Sequence, residues 1–410
     1  MDYKVVKECR VCGSPDLQKY LDLGSAPLAN SLLSSLEQVS NTYPIEVMLC
    51  LECSLSQLSI VVEPKVMYSN YYYYSSISDT FKKHCRDMAV SLKELKPEYS
   101  YEKDSDGRKA HILDIASNDG CLLGEFKNEG YWVSGIEPSQ KQCDIANSNG
   151  IPTECGFWGD GRGRHTDSSY DFITATNVLA HVDDLGGFLK SVVCALKMDG
   201  VFVAEFPYLP NLIENNQFDT IYHEHLSYFL LKPLVRLFKD NGLPIFKVER
   251  KDIHGGSIRI YASKFAHDQH ESVKDMLDFE ESKELYSIET YTKFADRALR
   301  VMNDFRMCLQ NIYDSGKKVM AYGASAKGIS LMNYAGIRRD WIHAIVDDTP
   351  DKQGKWTPGT LIPIIDSNSF KDECAYFIVL LAWNFSRELM AKCWWHSGYF
   401  IIPIPEVKIV

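Results

Sequence analysis

The sequence has no surplus of positive charge. Its 410 residues carry 44 Lys and Arg against 55 Asp and Glu, for a formal charge of −11. No segment gathers cations to neutralise phosphates, which argues against a general nucleic-acid binder. Apolar runs approaching about 18 residues are also missing, as is a cationic stretch leading into an apolar one near the start. We therefore expect a cytoplasmic protein with no membrane partner. In that compartment the 12 cysteines are thiols or metal ligands and not a disulfide framework. No internal repeat is visible, and neither a G-x-G-x-x-G nor a Walker loop occurs. The apolar and charged fractions, 45% and 24%, are those of an ordinary globular chain, long enough for two or three domains.

Two C-x-x-C pairs stand near the start, Cys9-Arg-Val-Cys12 and Cys50-Leu-Glu-Cys53, with 37 residues between them. This spacing matches a closed four-thiolate zinc site, structural because no ligand position is left for water. Such a site suits a segment too small to have much core. The stretch 22–30 between the pairs reads as a loop. Tyrosines 71–74 follow, and four in a row cannot all face a core; a phenol in a cleft and an aromatic patch at a domain seam are both open. Positions 81–95 have helical spacing, and 97–108 reads as a polar linker.

From His111 the pattern changes to strand, small-residue loop, helix: His111-Ile-Leu-Asp114-Ile-Ala116-Ser-Asn118-Asp119-Gly120. A second strand ends in Gly135-Ile-Glu137-Pro138. This is the arrangement of a nucleotide-binding α/β sheet, in which the loop brings backbone amides to a ligand and the acid accepts from ribose hydroxyls. Only Gly120 in the loop is glycine, which disfavours a pyrophosphate-bearing dinucleotide and suits S-adenosylmethionine. A third strand, 170–176, runs into Asn177-Val-Leu-Ala-His181, and a fourth, 200–206, contains Glu205. A β-hairpin over 247–262 closes this unit.

Between the fourth strand and the hairpin lies the densest chemistry, Tyr222-His223-Glu224-His225-Leu226-Ser227-Tyr228. Two imidazoles, a carboxylate and two phenols can move protons near neutral pH. On a strand His223 and His225 would share a face; in a helical turn Tyr222 and His225 would. A satisfied polar loop is the alternative. In a parallel sheet ligands sit beyond the carboxyl ends of strands, so His181, Glu205 and this cluster can converge on one cleft. After a charged helical stretch, 271–309, a second α/β unit begins at 317–328, where Gly323, Ser325, Ala326, Lys327 and Gly328 offer small residues, a hydroxyl and an ammonium to an anion at a helix N-terminus; a diphosphate is favoured there over a merely structural loop. A further strand is expected over 341–346, with Asp347 and Asp348 at its end.

Taken in order, these motifs, together with His254-Gly-Gly-Ser257, resemble the S-adenosylmethionine-dependent sugar C-methyltransferases that act on nucleotide-linked 4-keto-6-deoxysugars, the C-3 methyltransferases in particular. The resemblance covers nearly the whole chain. It implies an α/β fold in three parts: a zinc-binding segment (1–74), a class I Rossmann-like methyltransferase domain (75–265) and a second Rossmann-like domain carrying the nucleotide-sugar (266–410). It implies S-adenosylmethionine and structural zinc as cofactors, the latter on Cys9, Cys12, Cys50 and Cys53. A monomer is expected. By resemblance His225 is the base, Tyr222 the enolate donor or orienter, and Glu224 and His181 set hydrogen bonding, with Tyr73 as a further active-site phenol. The cofactor is assigned to Asp114, Ala116, Asn118, Asp119, Gly120, Glu137 and Asn177. The substrate is assigned to Ser257, Tyr322, Ser325, Lys327 and Gly328. Ala116 departs from the family, which usually has glycine there. Rival readings are methylation at C5, an O- or N-methyltransferase, which needs no enolate-stabilising cluster, and a non-catalytic nucleotide-sugar carrier.

Overall fold

The computed structural model describes residues 2–67, 74–77, 79–95, 110–159, 168–265, 267–370 and 375–410. Tyr73 and the whole 97–108 stretch lie outside them. Three sheets organise the described residues: an N-terminal one built on Leu17–Pro27, Thr42–Cys50 and Ser56–Leu58, a central one and a C-terminal one, with a short two-stranded ribbon, Tyr3–Val5 with Ile60–Val62, beside the N-terminal sheet.

The central sheet has seven strands. In chain order they are His111–Ile115, Trp132–Glu137, Thr153–Cys155, Tyr170–Thr176, Leu196–Pro207, Ile245–Lys251 and Ser257–Ser263. Their spatial order is three-two-one-four-five-seven-six. The first five are mutually parallel, and the seventh is antiparallel to both of its neighbours. Tyr170–Thr176 lies at the centre and is buried on both faces, as expected of an interior parallel strand. The order reverses between the first and fourth strands, so Asn118 and Asn177 leave the sheet at its ligand-binding switch point. The expected hairpin pairs Lys251 with Ser257.

The C-terminal sheet comprises Val319–Tyr322, Ile345–Val346, Ile364–Ile365, Phe377–Leu380, Tyr399–Ile402 and Lys408–Ile409, ordered three-two-one-four-five-six. That is the doubly wound dinucleotide-type order. The strand expected over 341–346 shrinks to its last two residues, because Trp341 stands in a turn.

The 22–30 stretch is a correction. Most of it belongs to the strand Leu17–Pro27, which pairs with Thr42–Cys50. Gly24 and Pro27 suggested a loop, but Leu21, Leu23 and Ala26 are buried in the core. A register shift between Asp22 and Ser25 absorbs Gly24 at φ +76°, as a bulge does. This strand packs on the long helix Ile288–Asp314, whose buried residues Tyr291, Phe294, Ala298, Val301, Phe305, Leu309 and Ile312 recur at three- and four-residue steps. The Ser287 hydroxyl caps it by accepting from Glu289 N–H. Each large side chain so buried contributes about 1.5–3 kcal/mol. Strand, helix and C-terminal sheet share one core, while Cys9, Cys50 and Cys53 belong to the core of the central sheet. The N-terminal segment is thus a wedge held by both larger units.

Candidate active site

The two cysteine pairs converge. All four ligand atoms lie within 4.8 Å of one another, with Sγ separations of 3.4 Å for Cys9–Cys53 and 3.6 Å for Cys12–Cys50. A tetrahedral zinc with Zn–S of about 2.3 Å requires sulfurs about 3.8 Å apart, so the donor set fits the metal. Each knuckle closes when the residue after its second cysteine turns left-handed and donates to the first cysteine's carbonyl: Gly13 to Cys9 and Ser54 to Cys50, both at 2.9 Å.

The knuckle also aims Arg10. This guanidinium donates to the Leu58 carbonyl (3.1 Å), to the Leu226 carbonyl (3.2 Å) and to Asp183 (3.2 Å). Leu226 follows His225, and Asp183 lies two residues beyond His181. Ser227–Tyr228 then adds a strand to the N-terminal sheet beside Ser56–Leu58.

The 217–228 loop is clamped by all three parts of the chain. From the N-terminal segment, Asn30 donates to Glu224 Oε1 (2.6 Å), and the Tyr43 carbonyl accepts from His223 Nε2 (3.1 Å). From the central unit, the Ala180 carbonyl accepts from Leu226 N–H (2.7 Å). From the C-terminal unit, Tyr334 Oη donates to the Ile221 carbonyl and Trp383 Nε1 to Asp219 Oδ2, both at 2.6 Å.

Within this clamp the loop forms a turn, with His225 N–H donating to the Tyr222 carbonyl. Tyr222 and His225 therefore share a face, while His223 turns to Tyr43. The Thr220 carbonyl lies 2.7 Å from His225 Nδ1. A carbonyl only accepts, so Nδ1 carries the hydrogen and the neutral ring keeps a bare Nε2. Tyr222 Oη is 3.3 Å from that nitrogen and donates to it. The His181 ring stands edge-on, 4.9 Å between centroids. Burial first, then His181 and the Lys327 cation, hold the pKa of His225 well below its ordinary value. His181 is lowered to about 4 by burial. Glu224 is pushed up to about 7 by burial, against the Asn30 hydrogen bond.

At the switch point, Ala116, Asn118, Gly120 and Asn177 all have positive φ. Ala116, at +55°, is the strained one, because left-handed backbone there suits glycine. Glu137 is buried and spans the loop, accepting from Asn118 N–H and Ser139 N–H, both at 2.9 Å. Asn118 and Asp119 side chains accept from Ser75 N–H and Ser76 N–H at 3.0 Å, which seats the end of the tyrosine segment above the loop. Asp119 Oδ1 is buried without a hydrogen-bond partner. Asp114 lies deeper, accepting from Thr174 Oγ1 (2.7 Å), and burial raises its pKa to about 7.

The second unit repeats this device. Asp347 accepts from Ala324 N–H (2.8 Å) and Thr349 N–H (2.9 Å), as Glu137 does from its own loop. Ser325 caps the helix Ala326–Tyr334 by accepting from Gly328 N–H (3.1 Å). Tyr322 donates to Asp348, and the Ser257 hydroxyl to the Ile253 carbonyl. The two crevices face each other: Asp351 of the second unit accepts from Tyr74 (2.6 Å) and Lys141 (2.5 Å). Glu205 is engaged by His84 (2.6 Å) and Arg259 (2.7 Å). Sequence reasoning missed Arg10, Asn30, Asp219 and Trp383, because each acts across more than 150 residues of chain.

Comparison with known proteins agrees with this geometry. A zinc binding domain matches 9–68, a methyltransferase domain 86–248 and the C-methyltransferase C-terminal domain 252–405. The C-methyltransferase NovU of Streptomyces niveus is 34% identical over 416 aligned positions, covering 99% of this chain and 97% of that protein. Among solved structures, a SAM-dependent methyltransferase from Archaeoglobus fulgidus aligns with 43% of this chain and 93% of its own (14% identity, TM-score 0.35). The geranyl diphosphate C-methyltransferase of Streptomyces coelicolor aligns with 46% and 87% (12%, 0.35). At those scores neither bears on function. The strand order, the loop under Glu137 and the matched domain define an S-adenosylmethionine-dependent methyltransferase with a structural zinc site. More narrowly, the full-length likeness shows that the chain belongs to the C-methyltransferase family. No helix among the described residues is long and apolar enough to cross a membrane.

Proposed function

We propose that the enzyme methylates C3 of a nucleotide-linked 4-keto-6-deoxysugar by way of an enolate, with His225 as the base. The observation that carries this reading is the bare Nε2 of His225, fixed by the Thr220 carbonyl in a loop clamped from three sides. Carbon is nucleophilic only after losing a proton, and a 4-keto group acidifies the hydrogen on C3. A neutral imidazole with its other nitrogen committed to a carbonyl suits that step. His225 Nε2 takes the proton, the electron pair moves onto the keto oxygen, and C3 then attacks the sulfonium methyl. Tyr222 donates to the base nitrogen, which supports orientation of His225 over direct contact with the enolate. Glu224, tied to Asn30, and His181, against the His225 ring, set position; Tyr73, outside the described residues, keeps its expected role.

S-adenosylmethionine supplies the methyl as a sulfonium. The orphaned Asp119 oxygen is an acceptor suited to its ammonium, and Glu137 to its ribose hydroxyls, with Ala116, Asn118, Gly120 and Asn177 shaping the backbone around them and Asp114 supporting it from beneath. The nucleotide belongs on the 266–410 domain, at Tyr322, Ser325 and the helix N-terminus through Gly328, and Ser257 borders the cleft from the 75–265 domain. We take the enzyme to be a monomer. The test is a mass-spectrometric screen of nucleotide-linked 4-keto-6-deoxysugars with S-adenosylmethionine, the product carbon located by NMR. A gain of one methyl on C3 is expected. Methyl on oxygen, nitrogen or C5 refutes the assignment.

A further inference from the structure

Lys327 was expected to meet the diphosphate, yet it turns toward the chemistry. Its ammonium lies 5.8 Å from the centre of the Trp383 ring. That same indole donates to Asp219, whose side chain is fully buried and whose second oxygen has no hydrogen-bond partner. Thr220, which holds His225, is the next residue. The Lys327 charge acts on three groups of the central unit, Asp219, His225 and His254, and none of these is a phosphate ligand. Among the described residues it forms no ion pair within 4 Å.

His254 is the second unassigned group. Its backbone is left-handed, φ +55°, and its Nε2 is buried with no hydrogen-bond partner. A non-glycine residue in that region costs of the order of 1–3 kcal/mol and persists where its surroundings enforce it. Here the surroundings are Gly255 and Gly256: added Cβ atoms there would come within 2.7 Å of Gln217 and 2.4 Å of Asn211. Gln217 Nε2 also donates to the Gly255 carbonyl (2.9 Å). The turn bearing His254 is thus locked onto the segment that bears Asp219 and Thr220. Burial, then the Lys327 cation, lower its pKa to about 4, so the ring is neutral and able to donate without carrying charge.

We propose that Lys327 and His254 receive the substrate's keto oxygen and hold the negative charge that develops there. The inference rests on the carbon-acid reading above and deepens it. As the C3–H bond breaks, its proton goes to His225 Nε2 and its electron pair forms the C3–C4 double bond. The carbonyl π pair moves to oxygen, against the ammonium and the imidazole N–H. When C3 attacks the sulfonium methyl, that pair returns, the carbonyl reforms and the S–CH₃ bond breaks to leave a neutral thioether. Stabilisation of a developing oxyanion by a positioned cation is usually the largest single term that lowers such a barrier. The diphosphate remains with Ser325 and the backbone N–H groups at the start of the Ala326–Tyr334 helix.

The test uses the full chain and the keto-sugar nucleotide that the wild type methylates. Lys327→Met should lower kcat by roughly 10²–10³ and change KM for the sugar nucleotide by less than about threefold. Lys327→Arg, which keeps the charge, should retain at least about ten times the activity of the methionine variant. His254→Gln should retain more activity than His254→Leu, because the amide still donates. Unchanged affinity for S-adenosylmethionine by calorimetry shows that the variants fold. A Lys327→Met enzyme with full kcat and a KM raised tenfold or more would place Lys327 on the diphosphate and overturn the proposal. Failure of the wild type to methylate carbon would instead overturn the underlying reading.

Discussion

Tyr222→Phe separates two roles that differ by orders of magnitude. The substitution removes one hydroxyl and keeps the ring that packs on His225, with centroids 4.3 Å apart. If the hydroxyl only orients the base, its worth is that of a neutral hydrogen bond, about 0.5–1.5 kcal/mol. At 3.3 Å the contact is longer than most such bonds, so the lower half of that range applies, roughly a factor of two to five. Part of this returns, because a donor on Nε2 opposes protonation and its removal makes His225 slightly more basic. If instead the hydroxyl meets the enolate, its loss costs about 10²–10³ in kcat. We predict the small effect: a two- to fivefold drop in single-turnover methyl transfer, with cofactor affinity unchanged. A drop of 10² or more would refute the orienting role and move the oxyanion contact from Lys327 to Tyr222.

The pH profile follows from His225, whose folded pKa is depressed. The base form persists above that lowered pKa and is lost only as pH falls through it. Turnover should therefore stay flat from pH 8 down through about 6.5, the ordinary histidine value, and fall only at the lower pH where His225 takes up its proton; an inflection at or above that value contradicts the neutral base. Glu137→Ala should weaken S-adenosylmethionine binding more than tenfold by calorimetry, since hydrogen bonds to a charged group contribute about 1.5–3 kcal/mol; an unchanged dissociation constant removes Glu137 from the site. Freshly purified protein should contain one zinc per chain, and Cys9→Ser should lose it and lower the melting temperature. Metal analysis showing no zinc would sink that assignment.

What was legible in the sequence was local. A thiolate pair within four residues, or a strand, turn and acid within about 25, is specified by its own spacing, so the zinc knuckles, the Asp114–Glu137 unit and the Lys247–Ala262 hairpin stand where expected. The i,i+3 reading of Tyr222 and His225 was one of two alternatives, and backbone hydrogen bonding selects it. The clamp around them was not legible. Asn30 reaches Glu224 across 194 residues and Trp383 reaches Asp219 across 164, and one sequence carries no signal that pairs such distant positions. Gly24 misled for a physical reason: a bulge lets a strand pass through a glycine that otherwise signals a turn. Lys327 in its glycine-rich loop suggests phosphate; its ammonium lies 5.8 Å from the centre of the Trp383 ring, a neighbour that the loop's own sequence does not signal.

The central claim is that a carbon–hydrogen bond is broken by His225 before methyl transfer, and proton exchange tests it most directly. The enzyme would be incubated in D₂O with S-adenosylhomocysteine in place of the methyl donor, together with a nucleotide-linked 4-keto-6-deoxysugar, the substrate proposed above. NMR would follow the C3 position. We predict that the wild type introduces deuterium at C3, that His225→Ala does not, and that the same variant methylates roughly 10²–10⁴ more slowly with cofactor binding nearly intact. Exchange and methylation at the wild-type rate in His225→Ala would contradict the account.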